Sequence, residues 1–444
     1  MAALHELGGA EAARAIRAGE ITSEALVRSC LARIAALEDR VAAWTFLDPE
    51  HALRQAGEAD AARASGQELG PLHGVPVGVK DVYDTADMPT ENGTRLHAGR
   101  RPLADAMAVS LLRQSGAILM GKTVCTELGL VAPGKTRNPH DPTRTPGGSS
   151  SGSAAAVAAG MIPLATGSQN NGSVIRPASF CGVYGFKPTA GRISRVGVLR
   201  QSPSLDQLGV FGRSVEDVAL LAQELMAFDP RDPAMRPAPR PDLFGAALSE
   251  PAEPPRLAFV KTPLWAEATA ETRAALEELV AGLGPLVTEI VLPEAFADTL
   301  AIHKAVIDPE LAWNYAAEYA AGKAQLSPIL RQIIERGQAE PAVQYLSALE
   351  RMPGLAQALD ALLSPYDAVL TPATPGEAPA GLESTGSPIF CTIWTVCGVP
   401  ALCLPLLRSR DGMPLGVQLV AARGRDARLL RTARWLSRTA RRPR

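Results

Sequence analysis

The sequence predicts an α/β fold with one central, twisted mixed β-sheet that is flanked by helices. Short apolar segments typical of strands alternate with helical segments, and this alternation is the pattern of α/β proteins. A mostly helical stretch interrupts the pattern between residues 229 and 365, after which strand-like segments return. We find no internal repeat in the 444 residues and expect a single domain.

Composition and charge indicate a soluble globular protein. Hydrophobic residues make up 46% of the chain and charged residues 20%, unlike the composition of disordered chains. The net charge of -2 provides no general attraction for nucleic acids or acidic membranes. The residues after Met1 lack a basic start followed by an apolar run, and no stretch of about 18 apolar residues occurs. The expected location is therefore the cytoplasm.

Residues 1–70 are predicted to form N-terminal helices. In the segment 22–38, apolar residues such as Leu26, Cys30 and Ile34 fall on one helical face. Thr22 precedes this face and is suited to cap the helix. A second, more polar helix is predicted for residues 50–64.

Residues 71–228 are predicted to form the core of the sheet and to carry the chemistry. The segment that contains Val75, Val77 and Val79 is strand-like and ends at Lys80. Further strands are predicted at 117–120, 163–166 and 183–186, and helices at 105–114, 151–159 and 214–226. The last of these helices begins behind Ser214 in a pattern typical of a capped start.

The rest of the chain divides into a linker with a mostly helical insert, residues 229–365, and a C-terminal region, residues 366–444. The linker is rich in proline up to residue 255, and a strand is predicted at 257–260 before the helices begin. Strands follow at 367–370, 401–407 and 416–420. The final helix is rich in arginine, which we interpret as a solvated outer face rather than a surface for membranes or nucleic acid.

Two familiar motifs lie in contexts that argue against their usual functions. Gly116–Thr123 fits the phosphate-loop pattern, but the residues between its glycines are predicted to form a strand instead of a curled loop. Gly148–Gly152 fits the nucleophile elbow of α/β-hydrolases, but no apolar strand precedes it. The only histidine after residue 150 is His303, in a polar helical region. We therefore predict neither nucleotide binding nor a Ser-His-Asp triad.

The cysteines and histidines indicate no metal site. The six cysteines are scattered without a CxxC pair, which favours buried, reduced thiols. The six histidines show no HExxH or HxH pattern. We expect no metal, and we expect the base of any acyl-transfer reaction not to be histidine.

Three glycine- and serine-rich segments together provide the parts of a nucleophilic site. They contain Lys80, Ser149 and Ser173, and the helix and strand between the two serines would bring their turns to the same edge of the sheet. The segments are Pro71–Asp81, Pro146–Gly160 and Gly167–Pro188.

These residue types fit acyl transfer. A serine hydroxyl is a poor nucleophile until a base takes its proton. A lysine amine becomes such a base when burial lowers its pKa, whereas arginine does not deprotonate. A second serine can relay the proton because its hydroxyl both donates and accepts, and the turn at residues 170–173 would present backbone N–H groups to an oxyanion. Each segment alone could equally be a structural lysine or a common turn, so the prediction depends on their combination.

With these segments in place, the chain resembles the amidase signature family, which includes fatty-acid amide hydrolases, malonamidases and the A subunits of tRNA-dependent amidotransferases. The resemblance extends from about residue 20 to 437 and is densest at 71–220. It is carried by the sequences GVPVGVKD, GKTVCTELG, TRNPHDPTRTPGGSSSGSAAAVAAG, SVIRPASFCGVYGFKPT and GVPALCLPL.

The resemblance implies a role for each residue and a reaction that needs no cofactor and no metal. Lys80 would be the general base, Ser149 the bridging serine on a cis peptide bond, and Ser173 the nucleophile that becomes acylated. The oxyanion hole would consist of the backbone N–H groups of Asn170, Asn171 and Gly172.

Two features depart from the family pattern. The usual nucleophile turn is similar to GTDTGGS, whereas this chain has GSQNNGS, with Gln169 in an acidic position and Asn171 in a glycine position. Asparagine tolerates a positive φ better than most residues, so we expect the turn to survive. Arg176 follows the nucleophile by three residues rather than the more usual two. This order is compatible with an arginine that faces the substrate and with one that pairs with a nearby loop.

The predicted reaction is hydrolysis of the C–N bond of a carboxamide through an acyl-Ser173 intermediate, with esters and carbamates as further substrates of the same chemistry. The expected partner is a small amide, without nucleic acid or membrane, and a homodimer is compatible with the sequence. Two alternatives stay open. One is a chain of the amidotransferase A type that needs partner chains, and the other is a non-catalytic binding protein on the same fold.

Overall fold

The computed structural model describes residues 3–440, which form one large mixed β-sheet with many helices around it. The α-helices are α1 (Gly9–Ala18), α2 (Ser23–Val41), α3 (Pro49–Ala64), α4 (Met107–Gln114), α5 (Ser151–Ala158), α6 (Ile175–Cys181), α7 (Val215–Leu225), α8 (Leu243–Leu248), α9 (Ala270–Leu283), α10 (Thr299–Asn314), α11 (Ala316–Gly322), α12 (Pro328–Ala339), α13 (Ala342–Leu363), α14 (Thr392–Val396) and α15 (Asp426–Ala440). The strands are β1 (Trp44–Leu47), β2 (Pro76–Lys80), β3 (Ile118–Thr123), β4 (Leu164–Gln169), β5 (Tyr184–Lys187), β6 (Gln207–Gly212), β7 (Leu257–Val260), β8 (Val287–Ile290), β9 (Ala368–Pro372), β10 (Ala401–Arg408) and β11 (Pro414–Val420).

The strands of the sheet follow the order β1-β3-β2-β4-β6-β5-β10-β11-β9-β7-β8. β2 runs parallel to its neighbours β3 and β4, and β7 runs parallel to β8 and β9. The strands between these two groups pair in antiparallel fashion. The predicted α/β fold with a mixed sheet is confirmed. Strands β2 to β6 are buried along their whole length, as expected of strands covered on both faces.

Most predicted elements have the expected type, with ends that move by a few residues. The phosphate-loop pattern lies largely in strand β3, so its backbone is extended and not curled around a ligand. The sequence does not reveal β1, β6 or β8. β1 and β8 are less buried than β5 and β7, which have the same length of four residues, and β6 contains two glycines, which weaken its strand signal. β8 lies within the predicted helical insert and forms an edge of the sheet. The division of the chain into four regions stays a prediction.

The predicted helix caps explain where two helices begin. Thr22 Oγ1 accepts a hydrogen bond from the backbone N–H of Ala25 at 3.1 Å, directly before α2. Ser214 Oγ accepts from the backbone N–H of Asp217 at 3.0 Å, directly before α7. Such caps satisfy N–H groups that have no partner within the first helical turn. Both predicted caps are confirmed.

The parallel strands β3, β2 and β4 bring the predicted catalytic segments to one edge of the sheet. β2 ends at Lys80, and its Gly78 pairs with Ala165 of β4, so the turn after β4 begins beside the end of β2. At the start of α5, a Cβ on Gly152 would lie 2.3 Å from the carbonyl oxygen of Ala43 and 2.4 Å from the backbone nitrogen of Val124. Only glycine allows this close approach, which seats the turn before α5 against the end of β3.

The arginine-rich final helix, α15, presents paired charges on its outer side and buries its apolar residues. Arg434 contacts Glu216 at 2.6 Å and Glu250 at 3.0 Å, and Arg428 contacts Asp367 at 3.4 Å. Arg428 and Arg438 are 46% and 59% exposed, which fits the interpretation of a solvated outer face, whereas Arg434 is 15% exposed and lies against its partners. Three further arginines lie outside the described residues: Arg441, Arg442 and Arg444. Within residues 3–440, no helix has the length and hydropathy needed to cross a membrane.

Candidate active site

Lys80 is fully buried at the end of β2, and its ammonium group contacts hydroxyl groups. Its Nζ donates to Ser149 Oγ at 2.8 Å and to Ser168 Oγ at 2.8 Å. Burial lowers the pKa of Lys80 from its ordinary value of 10.5 to about 8. The amine can therefore lose its proton near neutral pH, and a serine hydroxyl can donate to the neutral amine in that state.

Ser149 lies two residues before α5 on a cis peptide bond, Gly148–Ser149. This is the conformation that the resemblance implies for the bridging serine. Its backbone carbonyl accepts from the N–H of Thr126 at 3.2 Å. The next residue, Ser150, contacts both the N–H and the carbonyl of Ser168 through its hydroxyl at 3.3 Å. The turn that carries Ser149 is thus tied to the end of β4.

Ser173 lies in a buried turn between β4 and α6. The side chain of Gln169 closes this turn: its Oε1 accepts from the N–H groups of Val174 at 2.8 Å and Ile175 at 3.1 Å. A glutamine thereby provides the acceptor that an acidic residue would provide at this position. No hydrogen bond joins Ser149 to Ser173 among the contacts of residues 3–440. The predicted relay has two links, and the one between Lys80 and Ser149 is a direct hydrogen bond in this structure.

The predicted oxyanion turn has no positive φ at its asparagines. Among the described residues, the non-glycines with a positive φ do not include Asn171, so the turn forms without a left-handed residue in the glycine position. The side chain of Asn171 turns instead toward α14, where its Oδ1 accepts from Thr392 Oγ1 at 2.9 Å. Asn170 Nδ2 donates to Gln201 Oε1 at 3.1 Å. Side-chain contacts, rather than glycine flexibility, hold the turn.

The backbone carbonyls of the same turn also have partners. His303 Nε2 lies 2.9 Å from the carbonyl oxygen of Asn170, and because a carbonyl only accepts, this nitrogen carries the proton. Thr395 Oγ1 donates to the carbonyl oxygen of Asn171 at 2.5 Å. Burial lowers the pKa of His303, so its ring is neutral at neutral pH.

Arg176 is buried in the first turn of α6 and contacts two loops. Its Nη2 donates to the carbonyl oxygen of Gly148 at 2.6 Å and to Thr385 Oγ1 at 3.1 Å. Within residues 3–440, its Nε has no hydrogen-bond partner and no carboxylate forms an ion pair with it. Burial lowers the pKa of Arg176 to about 10, so it stays cationic at neutral pH. Arg176 therefore holds a loop and also keeps an unused donor.

A cavity of about 200 Å³ lies beside Ser173. The turn at residues 170–173 and Arg176 form one wall, and α10 forms another with His303, Ile307 and Leu311. Among residues 3–440, no group of three or more His, Cys, Asp or Glu side chains could hold a metal ion. The six cysteines are free and buried.

Sequence reasoning missed two contacts of this site. Ser168, the second hydroxyl partner of Lys80, directly follows Gly167 near the end of β4, but nothing in its own segment points to a lysine on another strand. His303 lies in a helical segment that the sequence presents as polar, yet it is 7% exposed and lines the cavity. A signal for its burial exists: Ile302, Val306 and Ile307 accompany it at helical spacing.

Comparison with known proteins identifies the protein family to which this chain belongs. A profile of the Amidase family matches residues 25–430, which include Lys80, Ser149 and Ser173. The match covers most of the chain. The chain therefore belongs to the Amidase family, the amidase-signature hydrolases.

Individual relatives are of more than one kind. The chain is 36% identical to the A subunit of the glutamyl-tRNA(Gln) amidotransferase of Chloroflexus aggregans, over 97% of this chain and 96% of that protein. One similar solved structure comes from a vestigial protein complex connected with the origins of an s-triazine catabolic enzyme, with a TM-score of 0.91, 30% identity and 98% of both chains covered. Another is the native peptide amidase of Stenotrophomonas maltophilia, with a TM-score of 0.85, 28% identity and coverage of 99% and 98%. The similarities confirm the predicted amidase signature fold.

Proposed function

We propose that this chain cleaves the C–N bond of a carboxamide, with Ser173 as the nucleophile, Ser149 as the proton bridge and Lys80 as the base. The observation that carries the proposal is the 2.8 Å contact between Lys80 and Ser149, made by a fully buried lysine whose pKa is lowered to about 8. A base with a pKa near the working pH is best suited to take and return a proton.

The proposed reaction has two halves that use the same relay. In the first, Ser173 Oγ bonds to the carbonyl carbon while its proton passes through Ser149 to the neutral amine of Lys80. The C–N bond then breaks, and that proton returns to the departing nitrogen. In the second half, water attacks the acyl carbon and gives a proton to Lys80, and the Ser173 oxygen leaves and takes this proton back. Backbone N–H groups of the turn at 170–172 stabilise the oxyanion in both halves.

The relatives favour a function in which the released amino group is transferred to an acceptor. The relative from Chloroflexus aggregans is named as one subunit of an amidotransferase, and the identity extends over nearly its whole length. Our first candidate is therefore an A-type chain of an amidotransferase, which cleaves the amide together with partner chains. The free-standing amidohydrolase is the second candidate, which the similarity to a peptide amidase supports.

The cavity supports a small carboxamide with an acidic group as the substrate. Its volume of about 200 Å³ is below the range of roughly 300–1,000 Å³ that is typical of sites for drug-sized ligands. Arg176 lines the same cavity as Ser173 and keeps a cationic group with an unused donor. A carboxylate on the substrate would provide the partner that Arg176 lacks within the described residues.

The nucleophile is tested by covalent labelling. An alkyl fluorophosphonate should add to the wild-type chain once, as measured by intact mass, and Ser173→Ala should abolish both the label and amide turnover. Peptide mapping should locate the label on Ser173. A label on Ser150 would contradict the proposal and support the elbow motif. A folded wild-type chain that takes no label and cleaves no amide would instead favour the non-catalytic binding protein.

The acceptor is tested by measuring ammonia release. One outcome is that the chain alone releases ammonia from small carboxamides at a rate that the other amidotransferase subunits of the host do not change. That result would favour the free-standing amidohydrolase. Release that depends on those partner chains would favour the A-type chain. Exhaustive chelation should leave either rate unchanged, because the proposed relay needs no Lewis acid. Loss of activity that zinc or manganese restores would contradict the relay.

A further inference from the structure

His303 and Thr395 lie outside the proposed relay and contact the oxyanion turn from its carbonyl side. His303 of α10 donates to the carbonyl of Asn170 at 2.9 Å, and Thr395 of α14 donates to the carbonyl of Asn171 at 2.5 Å. The carbonyl of Asn170 and the N–H of Asn171 belong to one planar peptide group, as do the carbonyl of Asn171 and the N–H of Gly172. Each contact therefore fixes the direction of an N–H group on the opposite side of its peptide.

We propose that His303 and Thr395 are positioning residues of the oxyanion hole, which orient and polarise the N–H groups of Asn171 and Gly172. This inference rests on the proposed function, because it requires an oxyanion to form beside Ser173. A hydrogen bond to the carbonyl of a peptide strengthens the donor at its N–H end. Donors that are fixed before the reaction stabilise an oxyanion best where water is excluded. His303 is 7% exposed and Thr395 is 1% exposed, so water does not readily replace either contact.

Gln169 makes the contact of Thr395 possible. Gln169 Nε2 donates to Thr395 Oγ1 at 3.0 Å, which leaves the hydroxyl proton of Thr395 free to bond to the carbonyl of Asn171. An aspartate or glutamate in place of Gln169 could only accept, and it would compete with Asn171 for that single proton. Gln169, which replaces the usual acidic residue, therefore contributes to the same positioning of the oxyanion hole. The oxygen of Gln169 holds the N–H groups of Val174 and Ile175, which follow Ser173. Its nitrogen donates to Thr395, which can then hold the peptide between Asn171 and Gly172.

The donors are tested by removing and restoring each one. His303→Leu and Thr395→Val should each lower the rate of Ser173 labelling by the alkyl fluorophosphonate, whose phosphoryl oxygen occupies the oxyanion hole. They should also lower kcat by about 10–100-fold, less than the loss of an entire donor, with KM changed little. His303→Gln and Thr395→Ser keep a donor at the same place and should recover most of the rate. Gln169→Glu should reproduce the loss seen with Thr395→Val.

Two matched controls separate positioning from general stability. His73 is buried and makes the same contact, with its Nε2 2.9 Å from the carbonyl of Ala59. Thr371 is buried and donates through Oγ1 to the carbonyl of Val260 at 3.2 Å. His73→Leu and Thr371→Val should lower Tm by amounts comparable to those of the test variants but leave the labelling rate unchanged.

The outcomes separate this inference from the proposed function. Folded His303→Leu and Thr395→Val variants that are labelled within about twofold of the wild-type rate would overturn the positioning role, while Ser173 remains the nucleophile. A wild-type chain without label or turnover would overturn the proposed function itself. If His303→Leu does not fold, the pair Thr395→Val and Thr395→Ser decides: equal rates for the two would contradict the inference.

Discussion

Lys80 and Lys187 are both fully buried lysines at the ends of strands, but their partners differ. Burial lowers the pKa of Lys80 to about 8 and that of Lys187 to about 7. Lys80 Nζ contacts two serine hydroxyls. Lys187 Nζ donates to the backbone carbonyls of Pro188 at 3.1 Å and Val399 at 2.6 Å, and to the side-chain oxygen of Gln207 at 2.6 Å.

For these two lysines, the hydrogen-bond partners, rather than the pKa, distinguish the proposed base from a structural cation. A carbonyl oxygen only accepts, so three such oxygens hold Lys187 as a donor of three protons. A hydroxyl accepts from an ammonium group and can also donate to a neutral amine, so Lys80 can change its charge without losing its partners. Burial lowers the pKa in both places, but only at Lys80 does the surrounding hydrogen bonding suit both protonation states.

Lys80→Met tests this contrast with the largest expected effect. Turnover of an anilide should fall by ~10²–10⁴-fold, because the departing nitrogen no longer receives a proton. A matched activated ester should lose much less, since its leaving group departs without that proton. Lys80→Arg should fail like Lys80→Met, because arginine does not accept the proton. The measurement is kcat for both substrates on each variant.

Lys187→Met is the matched control. It removes the partner of three buried acceptors, so the free energy of unfolding should fall by about 1–3 kcal/mol or more. The ratio of amide to ester turnover should stay near the wild-type ratio. An amide-selective loss in Lys187→Met, together with equal losses on both substrates in Lys80→Met, would mean that the two lysines have been assigned the wrong roles.

The pH dependence of amide turnover follows from the pKa of Lys80. Only the neutral amine accepts a proton, so kcat/KM should rise with pH up to about 8 and then level off. Below that pKa the neutral fraction falls tenfold for each pH unit, so the rate at pH 6 should be about a hundredfold below the plateau. Lys80→Met should lose this rise. A wild-type rate that falls as the pH increases from 6 to 8 would show that the protonated form is the active one.

The sequence predicted part of this contrast. Lys80 follows alternating valines at the end of an apolar strand, which identifies a buried lysine. Lys187 ends a similarly apolar strand, and its pattern alone does not separate it from Lys80. The difference lies in partners from distant segments, such as Val399 for Lys187 and Ser168 for Lys80. Local periodicity carries no information about such contacts.

The fold, like the site, was predictable from the sequence only where local spacing of apolar residues determines the structure. Long, periodic elements such as α2 and buried strands such as β2 follow from the spacing of apolar residues. The short β8 has two exposed residues and is a strand because β7 pairs with it. His303 shows the same limit at the site, because its partner Asn170 is 133 positions away. Elements and contacts that depend on distant pairing need the structure.

Arg176 is another buried cation, and its Nε has no hydrogen-bond partner within residues 3–440. Arg176→Gln should lower turnover of acidic amides more than turnover of neutral amides, by about 1–3 kcal/mol, or roughly 5–150-fold, if a charge-assisted hydrogen bond is lost. The measurement is kcat/KM for a pair of amides that differ only in a carboxylate. Thr385→Val is the control, because it removes only a loop contact of Arg176 and should affect both amides equally. Equal losses in Arg176→Gln would show that the arginine only holds its loops.

Ser168→Ala has the smallest expected effect and tests the argument about hydroxyl partners most directly. Ser168 accepts from the charged form of Lys80 and can donate to its neutral form. A hydrogen bond to a charged group is worth more than a neutral one by about 1 kcal/mol, so removing the hydroxyl destabilises the ammonium form more than the amine. The midpoint of the pH–rate profile should therefore move below the wild-type value by somewhat less than one pH unit, while the plateau falls a few-fold. Ser168→Thr keeps the hydroxyl and should leave the midpoint in place. A midpoint that is the same in Ser168→Ala, Ser168→Thr and the wild type would mean that Ser149 alone governs the charge of Lys80.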